Sequence, residues 1–388
     1  MSSNLNSKVA FANTLRGFAA IAVVLSHYFC TFWFAREEVT QFTNSPTLSL
    51  LTHPTPDYIV LMNNTGFFNW AGFGVGLFFL ISGFVIPFSL RKLDAIQFLI
   101  ARFFRIVPTY MVGFSITLLM VFLAGLYFNN PFPYKISQIL LHSIPGLRDI
   151  TGTRPIDAII WTLEIEVKFY VLCALVAPWF KQSSSKVFLI PVALAVMALF
   201  VSSQVTDVID VNLRLLKYAS GFVLVTQFII FMFIGVALNF YYQKVIRSEV
   251  AMLLVGALFM LFAFVWHTGM YKSSINVMWI YGFVILAFVF AITYPKIFIG
   301  NKVTNFIANI SYPLYVVHGV PGYVLLRVLL DMGVNIELAL ASACTFAVTM
   351  AFIVHKVIEI PSQRWGKNIS GKIKRDDTDI PPASFQPA

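Results

Sequence analysis

An arginine and a histidine sit inside the first hydrophobic stretch of the chain, Val9 to Phe34. The residues between Arg16 and His27 are all apolar, small or hydroxyl-bearing. On a helix, eleven steps of about 100° return His27 to within roughly 20° of Arg16, about 16 Å further along the axis. One helix face therefore carries a permanent cation near one membrane surface and a titratable ring deeper in the bilayer. Ionisable groups at that depth are costly and point to function by default. Taken singly, Arg16 reads equally well as a side chain snorkelling to the interface, and His27 as one pairing with a neighbouring helix.

A second basic pair strengthens the reading. In Arg91-Lys-Leu-Asp-Ala-Ile-Gln-Phe-Leu-Ile-Ala-Arg102-Phe-Phe-Arg105-Ile-Val-Pro108, apolar residues recur at helical spacing and predict an amphipathic helix on the inner surface. Arg102 and Arg105, three residues apart, share a face. Two guanidinium forks at the mouth of a helix bundle suit phosphates, whereas an isolated pair of this kind would anchor lipid headgroups. Arg16 falls at the same inner level, so the three arginines point to a phosphate-bearing small molecule entering from the cytoplasm. A coenzyme A thioester carries its phosphates at one end and its acyl group on an arm of about the helix rise that separates Arg16 from His27. His27 would then lie beside the thioester, suited as general base for an attacking hydroxyl.

Three further segments hold polar groups in apolar surroundings. Trp161-Thr-Leu-Glu164-Ile-Glu166-Val-Lys168-Phe-Tyr170 puts two carboxylates and a lysine inside one span. Glu164 and Lys168, at i and i+4, are expected to neutralise each other. Glu166 is left to pair with another span, where an arginine or histidine of the first would serve; beside His27 it would orient the ring as in triad logic. Ile310-Ser311-Tyr312-Pro313-Leu314-Tyr315-Val316-Val317-His318 offers His318 as a second candidate for chemistry, although a lone membrane histidine is more often structural. Pro313 is expected to break that helix, with Ser311 compensating. Ser82-Gly83 could line the cofactor entrance, and Gly72 and Gly76 form a GxxxG that serves helix packing rather than nucleotide binding.

The elements that must hold these groups are membrane helices. The chain has 388 residues, 59% of them hydrophobic and only 11% charged, with the apolar material in blocks of about 20 residues. This predicts an all-α, polytopic integral membrane bundle. About ten spans are expected, at approximately 9–34, 67–90, 106–128, 158–180, 186–205, 218–241, 249–268, 276–295, 305–328 and 337–357. Residues 1–361 form the membrane domain, and 362–388 a short charged, proline-containing cytoplasmic tail expected to be disordered. The basic residues cluster in segments that place both termini in the cytoplasm. This flanking pattern accounts for the net charge of +10 without nucleic acid as a partner. Arg36–Gly66 and Asn129–Asp157 become long, ordered outer segments, with Trp33, Trp70, Trp161 and Trp266 near the outer surface. Scattered histidines and membrane-buried cysteines suggest no metal.

These motifs, in this order, resemble the acyltransferase 3 family of multi-span membrane acyltransferases. The resemblance rests on Leu15-Arg16-Gly17 with His27, Phe78-Phe-Leu-Ile-Ser-Gly-Phe84, Arg102-Phe-Phe-Arg105-Ile-Val-Pro108, the Trp161–Tyr170 segment, Ile310–His318 and Ile358-Glu359-Ile-Pro361. It implies transfer of an acyl group, commonly acetyl or succinyl, from cytoplasmic acyl-CoA, acetyl-CoA above all. The acceptor would be a hydroxyl of a cell-surface or periplasmic carbohydrate or lipid-linked glycan, at a bacterial inner membrane among membrane lipids. By position, His27 would be the catalytic histidine, and Arg16, Arg102 and Arg105 would bind the donor; the residues themselves add Glu166 and His318 as catalytic candidates and Ser82 as a donor-binding one. Where the family has two adjacent glutamates, this chain has Glu166 and Val167, with Glu164 added. The competing reading is a transporter or flippase of a glycan or acylated carrier, weakened by the lack of an internal repeat.

Overall fold

The computed structural model describes residues 10–64, 68–206, 213–269 and 277–378, and among them only helices, turns and loops occur. The main helices are α1 (Ala10–Phe34), α2 (Trp70–Leu90), α3 (Ala95–Phe128), α4 (Ile160–Leu175), α5 (Leu189–Thr206), α6 (Leu213–Tyr242), α7 (Ser248–Thr268), α8 (Met278–Thr293), α9 (Lys302–Val317), α10 (Gly319–Asp331), α11 (Ile336–Val354) and α12 (Ile360–Thr378). Among the described residues, seven helices are long and apolar enough to cross a membrane; the bent pair α9–α10 raises the number to eight. The ten expected spans thus include α4 and α8, which have 16 residues each.

Close backbone approach holds the centre together. Helix α1 lies between α2 and α9. A methyl group added at Gly17 would stand 3.3 Å from the Ala308 nitrogen, and one at Gly74 2.8 Å from the Ala19 carbonyl. On the other side of α2 the glycines are reciprocal: a Cβ at Gly83 would overlap the Met232 carbonyl of α6, and one at Gly235 the Leu80 carbonyl of α2. Asn239 completes that seam by donating to the Phe84 carbonyl at 2.7 Å. Lipid tails are as apolar as leucine, so van der Waals contact between small-residue faces is what drives helices together here. Gly72 and Gly76 serve the same end against Ile280 and Tyr281 of α8.

Three expectations about the helices are corrected. The basic segment before Pro108 is no separate surface helix: α3 runs unbroken for 34 residues through Pro108. At about 51 Å it is longer than a hydrocarbon core of about 30 Å. Pro313 does not break α9 either; the chain turns by 71° between α9 and α10, at His318. Pro321 supplies the reason, since it has no N–H for the Val317 carbonyl, and Gly319 frees the backbone beside it. The tail beyond Pro361 is helical as far as Thr378, docked where Ser370 donates to the Gln97 carbonyl.

The fourth expected span is the largest departure. Trp161 packs against Phe79, nine residues along α2 from Trp70 and so about 13.5 Å into the bundle. Helix α4 therefore begins near mid-depth, and Trp161 is no interfacial residue. Above it lies irregular chain that the sequence analysis placed wholly outside. Asp157 receives the Tyr110 hydroxyl at 3.0 Å, although Tyr110 is about 27 Å along α3 from Phe128. Irregular backbone at such depth is tolerated only where protein satisfies its polar groups. Here the His142 ring accepts from the Ile156 N–H, Asp157 accepts from Ile159 and Ile160, and Arg148 donates to the Thr153 carbonyl.

Charge at this depth is also paired differently from expectation. Arg148 grips both oxygens of Glu164, and Lys168 pairs with Asp149; the expected Glu164–Lys168 pair is not formed. The chain that follows α1 folds around buried Arg36, which donates to the carbonyls of Trp33, Leu48 and His53 and to the Thr55 hydroxyl.

Gly83→Ala should lower the thermal midpoint in detergent, by the equivalent of about 1–3 kcal/mol of overpacking. Gly221→Ala, with open space around it, should leave the midpoint unchanged or raised. Glu164→Gln, which strands the Arg148 cation, should destabilise by about 3–5 kcal/mol, and Arg148→Met with Glu164→Leu by much less. Equal losses in the single and double variants would exclude the pairing.

Candidate active site

Three helices bring their polar residues to one depth. Arg16 lies about 9 Å from the start of α1, Ser82 about 12 Å from the Leu90 end of α2, and Arg102 about 10 Å from the start of α3. These ends lie on the same side of the bundle. Arg16, Ser82, Arg102 and Arg105 line one cavity of about 60 Å³ together with Glu166 and Tyr170 of α4.

The cavity wall is positive and partly committed. Ser82 donates to Glu166 Oε1 at 2.5 Å, and the Tyr170 hydroxyl donates to the same oxygen. Among the described residues, no carboxylate lies within ion-pairing distance of Arg16, Arg102 or Arg105. Arg102 donates through Nη2 to Ser89 at 2.6 Å, and its guanidinium lies over the rings of Phe98 and Tyr170. Its Nε is buried without a partner. Three permanent cations against one carboxylate make an anion site, and guanidinium forks favour phosphate or carboxylate oxygens.

The histidines form a second cluster further along α1. His27, about 25 Å from Ala10, opens a π-helical turn, His27–Thr31. Its Nδ1 is 2.6 Å from the Tyr323 hydroxyl, with the two rings stacked 12° from parallel. The His318 ring stands edge-on to it, 4.7 Å between centroids. Fully buried His318 places Nδ1 2.8 Å from the Tyr315 carbonyl and 3.0 Å from that of Leu314. Carbonyls only accept, so Nδ1 bears the proton of the neutral ring. Its Nε2 is then a bare lone pair without a hydrogen-bond partner.

The break at His318 is thus stitched by the ring itself, while Tyr28 donates to the His318 carbonyl at 2.7 Å. Gly322 makes that possible, since any Cβ there would overlap the Tyr28 hydroxyl. Tyr315 joins the two clusters. It lines the arginine cavity, bonds Thr162 at 2.6 Å, and its ring centre is 5.8 Å from that of His318.

The structure therefore gathers the seven sequence candidates into two groups: Arg16, Ser82, Arg102, Arg105 and Glu166 around the cavity, and His27 with His318 beyond Tyr315. One expected contact is absent. Glu166 serves Ser82 and Tyr170 instead of orienting His27, because α4 starts too deep to bring Glu166 up to the histidine. Tyr323 takes that place, and nothing in its local sequence marks it; only the 71° turn brings it to α1.

A family model described as an acyltransferase domain matches residues 9–354. No curated protein and no solved structure matches the chain.

Nitrogen-15 spectra of histidine-labelled protein provide a check that needs no substrate. Tyr323→Phe should shift the His27 Nδ1 resonance and leave His318 as an Nδ1–H tautomer. An Nε2–H signal for His318 would contradict the geometry.

Proposed function

The chain belongs to the acyltransferase domain family, and on that premise we propose that this membrane acyltransferase moves an acyl group from cytoplasmic acyl-CoA to a carbohydrate hydroxyl. The observation that carries the reading is the arginine cavity, about 16 Å along α1 from the histidine pair. Phosphates of the donor would lie on Arg16, Arg102 and Arg105, with Ser82 and Glu166 shaping the wall. The pantetheine arm would pass Tyr315 and present the thioester to His27. In this scheme both termini and the cavity mouth face the cytoplasm, and ten spans cross a bacterial inner membrane. The acceptor, a cell-surface or periplasmic carbohydrate or its lipid-linked form, would arrive from the Phe34 side.

Each residue then has a definite task. The acceptor hydroxyl gives its proton to His27 as its oxygen attacks the thioester carbon. The C–O bond forms, the C–S bond breaks, and the proton returns to the departing CoA sulfur. Tyr323 holds the His27 ring in the orientation this requires. Holding the phosphates fixes the reacting carbon, which converts binding energy into proximity. Acetyl-CoA is the first donor to test, because nothing in the scheme requires a longer acyl chain.

The test is CoA release and acyl transfer by purified protein in detergent, using acetyl-CoA and a panel of neutral oligosaccharides. His27→Ala should lower turnover roughly 10²- to 10⁴-fold while donor binding persists. Arg102→Ala and Arg105→Ala should each weaken donor binding about tenfold or more. Full transfer by a correctly folded His27→Ala protein would refute the assignment.

A further inference from the structure

A groove of about 370 Å³ runs alongside the arginine cavity, between α3 and α4. Its lining is nearly all hydrocarbon, from Leu99, Ile100, Phe103, Val107, Pro145 and Val171. The rim is open: Phe103 is 48% exposed and Val171 44%. On a membrane helix this exposed apolar surface faces lipid tails. Arg102, Ile106 and Tyr170 line both the groove and the cavity. Arg102 therefore stands in the shared wall, with the partnerless Nε noted above.

An apolar slot open to the bilayer thus leads directly to a site with three cations and one carboxylate. A single molecule that satisfies both halves is an amphiphile with an anionic head. We propose that a membrane lipid with a terminal phosphate enters sideways through this groove. Its tail lies against Ile100, Phe103 and Val171, and its head binds Arg102 and the neighbouring arginines. The phosphate, doubly charged and rich in acceptor oxygens, suits guanidinium forks better than a zwitterionic head does. This inference rests on the donor reading in one respect: the lipid head and the phosphates of acyl-CoA occupy the same arginines, so the lipid competes with the donor. The composition of the surrounding leaflet then sets how readily acyl-CoA binds.

The experiment measures CoA affinity for the full chain in nanodiscs of three compositions. The first is phosphatidylcholine alone; the others add phosphatidic acid or phosphatidylglycerol, at fractions chosen to give the same surface potential. The third controls for surface charge, since its singly charged diester, at the higher fraction, repels CoA in solution equally. Phosphatidic acid should raise the apparent Kd for CoA about tenfold over the phosphatidylglycerol discs. Ile100→Trp, which fills the groove without touching the arginine cavity, should abolish that difference and leave CoA affinity in phosphatidylcholine unchanged. Val171→Trp is the second blocking variant should the first fail to fold. Equal effects of the two anionic lipids would overturn the proposal, as would competition that survives both tryptophans. If CoA binds in none of the discs, the donor reading fails by itself. Retention of phosphatidic acid by wild type and its loss in Ile100→Trp, measured by native mass spectrometry, then upholds the groove, and equal retention overturns it.

Discussion

Charge held at membrane depth constrains every other part of this molecule. A guanidinium in hydrocarbon has to find acceptors, aromatic faces or a water-filled space. Arg36 and Arg148 are absorbed by backbone carbonyls, a threonine hydroxyl and a carboxylate. Arg16, Arg102 and Arg105 are not; they surround an open volume instead. The difference separates arginines that build the protein from arginines left available to a ligand. The reciprocal glycines of α2 and α6 belong to the same constraint, because they clamp the helices that hold the cavity open.

The irregular chain before α4 shows what the bundle does where it cannot use a helix. A segment that forgoes the helical hydrogen-bond ladder needs its partners from side chains, and His142, Arg148 and Asp157 each supply one or more. They look like loop residues in the sequence. Their chemistry is that of buried caps, and their burial follows from the shortness of α4.

Much of this organisation could be read from residue types. Arg16, Arg102 and Arg105 share a cavity because each lies a similar number of turns from the same end of its helix, which counting residues reveals. Apolar blocks of about 20 residues located the long apolar helices among the described residues, and the acyltransferase resemblance covers nearly the whole chain. What escaped were relations across breaks in regularity. Glu164 finds Arg148 rather than Lys168, because the intervening chain folds back at a depth that hydropathy assigns to the outside. Tyr323 meets His27 only through a turn whose position depends on Pro321, whereas the break was expected at Pro313. Local rules identify a helix and its faces. They do not say which of two prolines will bend it, or whether a charged loop stays in water.

The π-helical turn His27–Thr31 accommodates one more residue than an α-helical turn would, and the Tyr28 carbonyl it frees is taken by the Trp33 indole. A rotational offset is thereby written into α1. Up to Ser26 the helix keeps the phase that aims Arg16 at the cavity; beyond Thr31 it follows another, which buries Phe32 and Trp33. A single rod thus holds two azimuths, with the histidine at the joint between them. Evolution could rotate the far end of this helix, remodelling what the histidine meets on that side, without disturbing by one degree the arginine that faces the cavity.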